Sequence, residues 1–165
     1  MEIIEIFGLQ FVLSLTVIGL IAAWRVGPWL DRLELRDALF WLTVPHAFRH
    51  LGMVFLVPGV VAPNLPDTFS SAAAYGDLLA GILAIITLIA LQRRWAAMLP
   101  LAWVTSIVGL VDLVNALSHV SVVPYLHAAW YIPAFLVPLL IVTHVMTLSR
   151  LAAHIRSPIP TPTQD

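Results

Sequence analysis

His46, Arg49, His50 and Met53 stand at i, i+3, i+4 and i+7 inside an otherwise apolar run, so a helix there puts two imidazoles and a guanidinium on one face. At bilayer depth a guanidinium costs roughly 2.5 kcal/mol on insertion scales, and such residues turn to a protein interior or a watery cavity. Two other apolar runs offer counter-ions. One opens with Tyr75, Gly76 and Asp77; the other carries Asp112, Asn115 and His119 at i, i+3 and i+7. One guanidinium facing two carboxylates leaves excess negative charge if both ionise, which favours a group able to hand over a proton near neutral pH. Asp112, Asp77 and His50 are therefore the candidate acid–base residues. Arg49, His46, Asn115, Tyr75, His119 and Trp103 are the candidate ligand-binding residues. No metal site is expected: the i, i+4 histidines lack the glutamate of HExxH, and Arg49 between them repels a cation.

The elements that must position these residues are membrane spans. The chain has 165 residues, 61% hydrophobic and only 10% charged, against roughly 25% charged in soluble domains. A net charge of -1 with no basic cluster outside the connections leaves nucleic-acid binding without a basis. There is no cysteine and no lysine, which removes disulfides, thiolate chemistry, iron–sulfur clusters and lysine Schiff bases. Glu2 and Glu5 give the start of the chain the wrong charge for a secretory signal, so the first apolar run is expected to stay in the protein.

Five apolar segments approach the roughly 20 residues a helix needs to cross the hydrocarbon core: Ile6 to Trp24, Ala38 to Val61, Ala72 to Leu91, Ala96 to Leu117 and Ala128 to Leu148. The expected fold is an all-α integral membrane bundle of five transmembrane helices over residues 1–156, with a short interfacial helix or turn from Pro28 to Asp37. Residues 157–165, rich in proline, are expected to form a disordered cytoplasmic tail. All seven arginines besides Arg49 fall in the connections between spans one and two and three and four, or after span five. The positive-inside rule then places the N-terminus outside and the C-terminus in the cytoplasm of a bacterial inner, or plasma, membrane. Counted at 1.5 Å per residue from the inner boundary, Arg49 lies at roughly 16 Å, Asp77 at roughly 22 Å and Asp112 at roughly 24 Å. A guanidinium on a flexible stem can span the difference. His46 and His144 differ by roughly 6 Å on the same scale. Gly76, Gly81 and Gly109 permit close helix packing.

Three functions fit this pattern. The first is a pocket for a lipophilic ligand, such as an isoprenoid, sterol-like or acyl lipid. Its walls would be Phe40, Phe48, Phe55, Trp103 and Phe135, and its chemistry a cofactor-independent isomerisation, cyclisation or hydration by proton transfer. The second is a haem b redox protein with histidine ligands and Arg49 on a propionate. The third is an accessory or assembly subunit in which Arg49 and its aspartates form a structural ion pair. Expected partners are membrane lipids and a lipophilic small molecule, not nucleic acid, with a homo-oligomer left open.

From Phe48 through Trp103 the chain has Arg49, Leu51 and Gly52 at the entry, a proline-bearing loop, and Ala74, Tyr75, Gly76 and Asp77 at the start of the next span. The Arg93 and Arg94 pair then precedes an alanine-rich span. This stretch resembles DoxX-type small bacterial membrane proteins. Such proteins usually have four spans where this chain reads as five, so the resemblance carries over no functional residue.

Overall fold

The computed structural model describes residues 1–156, and the expected 157–165 tail lies outside the described residues. It is all-helical, with no β-strand among the described residues. Helix α1 runs Ile3–Leu30 and starts at a capping box in which the Glu2 N–H donates to Glu5 Oε2 at 2.9 Å. Its ladder widens to π geometry over Ala22–Val26. Pro28 lacks an N–H and its ring crowds the carbonyl four residues back, which explains the bulge. A turn at 31–34 follows. The expected interfacial element thus divides into the end of α1, this turn and the first residues of the next helix.

Helix α2 (Leu35–Ala47) contains Pro45 and passes into a 3-10 helix, Phe48–Leu56. Runs of 3-10 longer than three or four residues are uncommon, so nine residues need tertiary support, which Arg49 and Gly52 provide. Helix α3 spans Asp67–Gln92 and ends with Arg94 in the left-handed region at φ 53, where the Trp95 N–H donates to the Ala90 carbonyl at 2.9 Å. Helix α4 spans Met98–Leu117. Helix α5 spans His127–Arg156 and bulges to π geometry over Ile132–Leu136, again ahead of a proline, Pro138. Helices α1, α3, α4 and α5 are each long and apolar enough to cross a membrane.

The contacts along the bundle define its order. Leu39 packs in one cluster with Leu91, His50 lies beside Gly81, Gly52 beside Asp77 and Phe55 against Phe69, so α2 and its 3-10 extension run antiparallel to the whole of α3. Helix α4 runs antiparallel to α5, with Ala102 near Leu151, Gly109 beside His144 and Leu113 packed with Leu140. Helix α1 runs parallel to α5: Phe7 meets Trp130 edge-on at 5.5 Å, and Arg150 donates to Asp31 at 2.6 Å. One end of the bundle therefore gathers the turns at 31–34 and 93–97. The other gathers the long connections, stitched by Ala62 N–H to the Tyr125 carbonyl at 2.9 Å and Ala128 N–H to the Val60 carbonyl at 3.0 Å.

Of the apolar clusters among the described residues, the two largest fill the ends of the bundle. Phe7, Phe55, Leu65, Val122, Val123 and Leu126 fill the end with the long connections, and Leu39, Leu91, Ala102 and Leu151 the end with the turns. Arg49, His46 and His144 lie between them, all buried.

Candidate functional site

Arg49 is held from three helices. Its Nε donates to Asp77 Oδ1 at 2.7 Å, and its Nη2 reaches the same oxygen at 2.7 Å and also bonds Asp112 Oδ2. Its Nη1 donates to the Gly109 carbonyl at 3.0 Å. The Arg49 side chain is only 1% exposed, while those of Asp77 and Asp112 keep 13% and 22%. A guanidinium has five N–H groups; three of them donate these hydrogen bonds, and Nη2 lies within ion-pair distance of Asp77 as well. Burial of the charge is thus matched by hydrogen bonds and counter-charge, the condition under which a buried ion persists.

Glycines make these approaches possible. A Cβ on Gly52 would lie 1.9 Å from Asp77 Oδ2, and one on Gly76 would lie 2.1 Å from Asp112 Oδ1. A Cβ on Gly109 would lie 2.5 Å from His144 Nε2 and 3.0 Å from Arg49 Nη1. Each polar side chain of the cluster therefore occupies space that a side chain on the facing helix would otherwise fill. The sequence marks Gly76 and Gly109 as packing residues; that each accommodates a named polar group is a structural result.

Beside the cluster, His46 and His144 stack with ring centroids 3.8 Å apart. Thr143 Oγ1 donates to the Leu139 carbonyl at 2.9 Å, so His46 Nε2, 3.0 Å from that hydroxyl, donates to it. His46 Nδ1 and both nitrogens of His144 are buried without a hydrogen-bond partner among the described residues. The expected offset of His46 and His144 is not found, because α5 continues to Arg156 and the inner boundary assumed at Leu148 is too early. Stacked rings leave no porphyrin-thick gap, so these two histidines are not placed to ligate opposite faces of one haem.

Asp77, Asp112, Arg49 and His46 come together as the sequence suggests. His50 does not. It is exposed, its Nδ1 2.9 Å from the Ala47 carbonyl, because a 3-10 turn advances 120° per residue and buries positions three apart. Arg49, Gly52 and Phe55 are the buried stripe. Tyr75 is 59% exposed. Trp103 packs with the Leu39, Leu91 and Leu151 cluster, away from the charges. Asn115 is exposed one turn beyond Asp112, and His119 is exposed just past the end of α4; His119 Nδ1 lies 2.9 Å from the Asn115 carbonyl, and its ring sits 5.7 Å from Phe69.

A cavity opens from the aspartate side of the cluster toward the long connections. Arg49, Asp77 and Asp112 form its floor, Phe7, Phe55, Phe69, Leu113, Val123 and Leu126 line its walls, and His119 stands at its rim. Phe55 is the one aromatic of the expected wall that lines it; Phe40 and Trp103 pack in the opposite cluster, and Phe48 and Phe135 are exposed. The free volume is about 60 Å³, where one water needs roughly 10–15 Å³. That admits a few waters or a slender chain, and not a sterol-sized ring system. A second cavity of about 70 Å³ adjoins it, lined by Thr68, Phe69, Asp112, Asn115 and His119.

Among the described residues, four apolar helices long enough to cross a membrane, around a buried, ion-paired arginine, define the class: a multi-pass membrane protein with a charge cluster inside its helix bundle. The chain belongs to the family described as Domain of unknown function (DUF8737), which matches residues 6–152. No curated protein and no solved structure matches it.

Proposed function

We propose that this protein binds a slender lipophilic ligand in the cavity above Arg49, Asp77 and Asp112. The observation that carries the proposal is the cavity itself: apolar walls leading to a polar floor is the usual build of a small-molecule site. Asp112, the most exposed acid of the floor, is the residue we assign to proton transfer if the ligand is also a substrate, with Asp77 held more tightly by Arg49. For an unsaturated chain, isomerisation adds one proton and removes another across the double bond, and hydration adds a water across it; in either case Asp112 would give and take back the proton.

We further propose five membrane crossings. Helix α2 alone is too short, but with its 3-10 extension it rises about 37 Å, and it packs along the whole of α3, itself long enough to cross. With the arginine-rich turns in the cytoplasm of a bacterial inner membrane, the N-terminus and the cavity mouth face outside, and the 31–34 turn lies at the headgroups. In the cysteine-free chain, His127→Cys should react with an impermeant maleimide added outside intact cells and Arg94→Cys should not. The reverse pattern sinks the orientation.

Native mass spectrometry of gently extracted protein tests the ligand. Retention of one lipophilic species by the wild type, lost in Ala73→Leu, is expected. Ala73 lines the cavity without touching the charges. A second reading, a structural lock, is favoured by the way Asp77, Asp112 and Gly109 engage Arg49; it predicts no retained species in either form.

A further inference from the structure

We infer that the cavity selects a ligand whose head donates hydrogen bonds and carries no negative charge, a slender alkylammonium ahead of the matching alcohol, with carboxylates excluded. This rests on the ligand-binding reading above and specifies its chemistry. A lone arginine at the end of an apolar cavity would invite a fatty acid. Here Arg49 is already spent: Nε and Nη2 bond the two aspartates, and Nη1 is turned to the Gly109 carbonyl and lies near His144. At 1% exposure the guanidinium has almost no surface to offer a ligand.

What a ligand meets at the floor is carboxylate. Asp112 keeps 22% of its side chain exposed and lines both cavities, while Asp77 keeps 13%. When both aspartates are ionised, one guanidinium against two carboxylates sums to a single negative charge at the cavity floor, the state that an ammonium head would favour and a carboxylate head would oppose. At the rim, His119 Nδ1 faces the Asn115 carbonyl, which can only accept, so that N–H is used within the rim and not offered to the cavity. An anionic head would have to displace an aspartate from Arg49 and would leave that carboxylate buried and unpaired. An ammonium head meets acceptors and offsets the charge, and charge-assisted bonds of this kind are about twice as strong as neutral ones. The free volume of about 60 Å³ takes the head and roughly the first four carbons as a single unbranched chain, at about 10–15 Å³ per water-sized group, and the rest of a longer tail leaves through the cavity mouth.

The test is competition in native mass spectrometry between dodecylamine, dodecanol and dodecanoate at equal concentration on detergent-purified protein. The amine should be retained about tenfold over dodecanoate, the ratio that 1.4 kcal/mol supplies, with the alcohol between. Asp112→Asn should bring amine and alcohol to near parity while keeping the alcohol bound, and Ala116→Leu, which narrows both cavities and leaves the charges in place, should release all three. Dodecanoate bound as well as the amine overturns the head-group selection and leaves the cavity reading standing. Failure of wild type to retain any of the three, or equal retention in Ala116→Leu, overturns the cavity reading and this inference with it.

Discussion

Gly76 and Asp112 make a pair whose coupling can be calculated before it is measured. Gly76 lies in the interior of α3, where alanine would ordinarily gain about 1 kcal/mol of helix propensity. Its new Cβ would stand 2.1 Å from Asp112 Oδ1 and 2.9 Å from Cγ, so the carboxylate must swing away and release Arg49. Overpacking of this kind costs about 1–3 kcal/mol, and losing a hydrogen bond to a charged group about 1.5–3 kcal/mol. Set against the propensity gain, Gly76→Ala should destabilise by about 3 kcal/mol. Asp112→Ala alone loses the bond without the clash and should cost about 2 kcal/mol. In the double variant the contacted atoms are gone, so the alanine keeps its propensity gain and the total should fall to about 1 kcal/mol. The same substitution thus destabilises the wild type and stabilises Asp112→Ala. Reversible unfolding in mixed micelles with rising SDS, followed by tryptophan fluorescence, gives all four corners of the cycle. If Gly76→Ala costs the same in both backgrounds, Asp112 does not occupy the space over Gly76 and the description of the cluster fails.

Arg49→Lys should not restore folding lost in Arg49→Leu, because an ammonium is a point donor and cannot serve Asp77, Asp112 and the Gly109 carbonyl at once; both should cost about 3–5 kcal/mol in the same SDS titration, and a wild-type-like lysine variant would refute the fork geometry. His144→Leu removes two buried nitrogens without partners and should leave the midpoint unchanged or raised; a loss above about 2 kcal/mol would show that the ring is bonded. Ala73→Leu fills space beside the floor, and at about 24 cal/mol per Å³ a cavity of about 60 Å³ is worth about 1.4 kcal/mol. The ligand-free variant should therefore be more stable than the ligand-free wild type, and a destabilised one would mean that the site is already packed.

Which acids meet Arg49 was legible in the sequence because few charges lie within the apolar runs, and a buried guanidinium has to find them. Their depths were not legible. Counting 1.5 Å per residue through 48–56 understates the rise of a 3-10 segment, which gains about 2.0 Å per residue, and α2 begins at Leu35, three residues before the assumed boundary. The boundary sets Arg49 too shallow, while the 3-10 rise, which begins only at Phe48, mainly displaces the residues after it. The same segment explains why His50 was assigned to the wrong face. An α-helix puts i and i+4 together; a 3-10 helix puts i and i+3 together, so His46, Arg49, Gly52 and Phe55 form the buried stripe. The period-three run of His46, Arg49, Gly52 and Phe55 after Pro45 was the available signal. His144 carried none, since its neighbours are decided by the packing of α5 on α2 and α4.

The arrangement of glycines bears on whether the cluster locks helices or serves a ligand. A lock requires only that Arg49 reach its partners, and two facing carboxylates on longer stems could meet it without removing side chains from Gly52, Gly76 and Gly109. Here each glycine instead draws a polar group across the helix interface. Asp77 and Asp112 each direct one oxygen to Arg49 and the other toward a glycine, which leaves the guanidinium sheathed and the acids partly open to the cavity. That asymmetry has a consequence a pure lock lacks: the polar surface open to the cavity is carboxyl and not guanidinium. Replacing Asp77 by Glu would conserve charge but add a methylene where the Asp77 carboxylate already fills the space over Gly52, so the carboxylate must shift relative to Arg49. The substitution should leave a lock weakened in proportion to the lost geometry, but a binding floor would change its preference among head groups before it lost the fold.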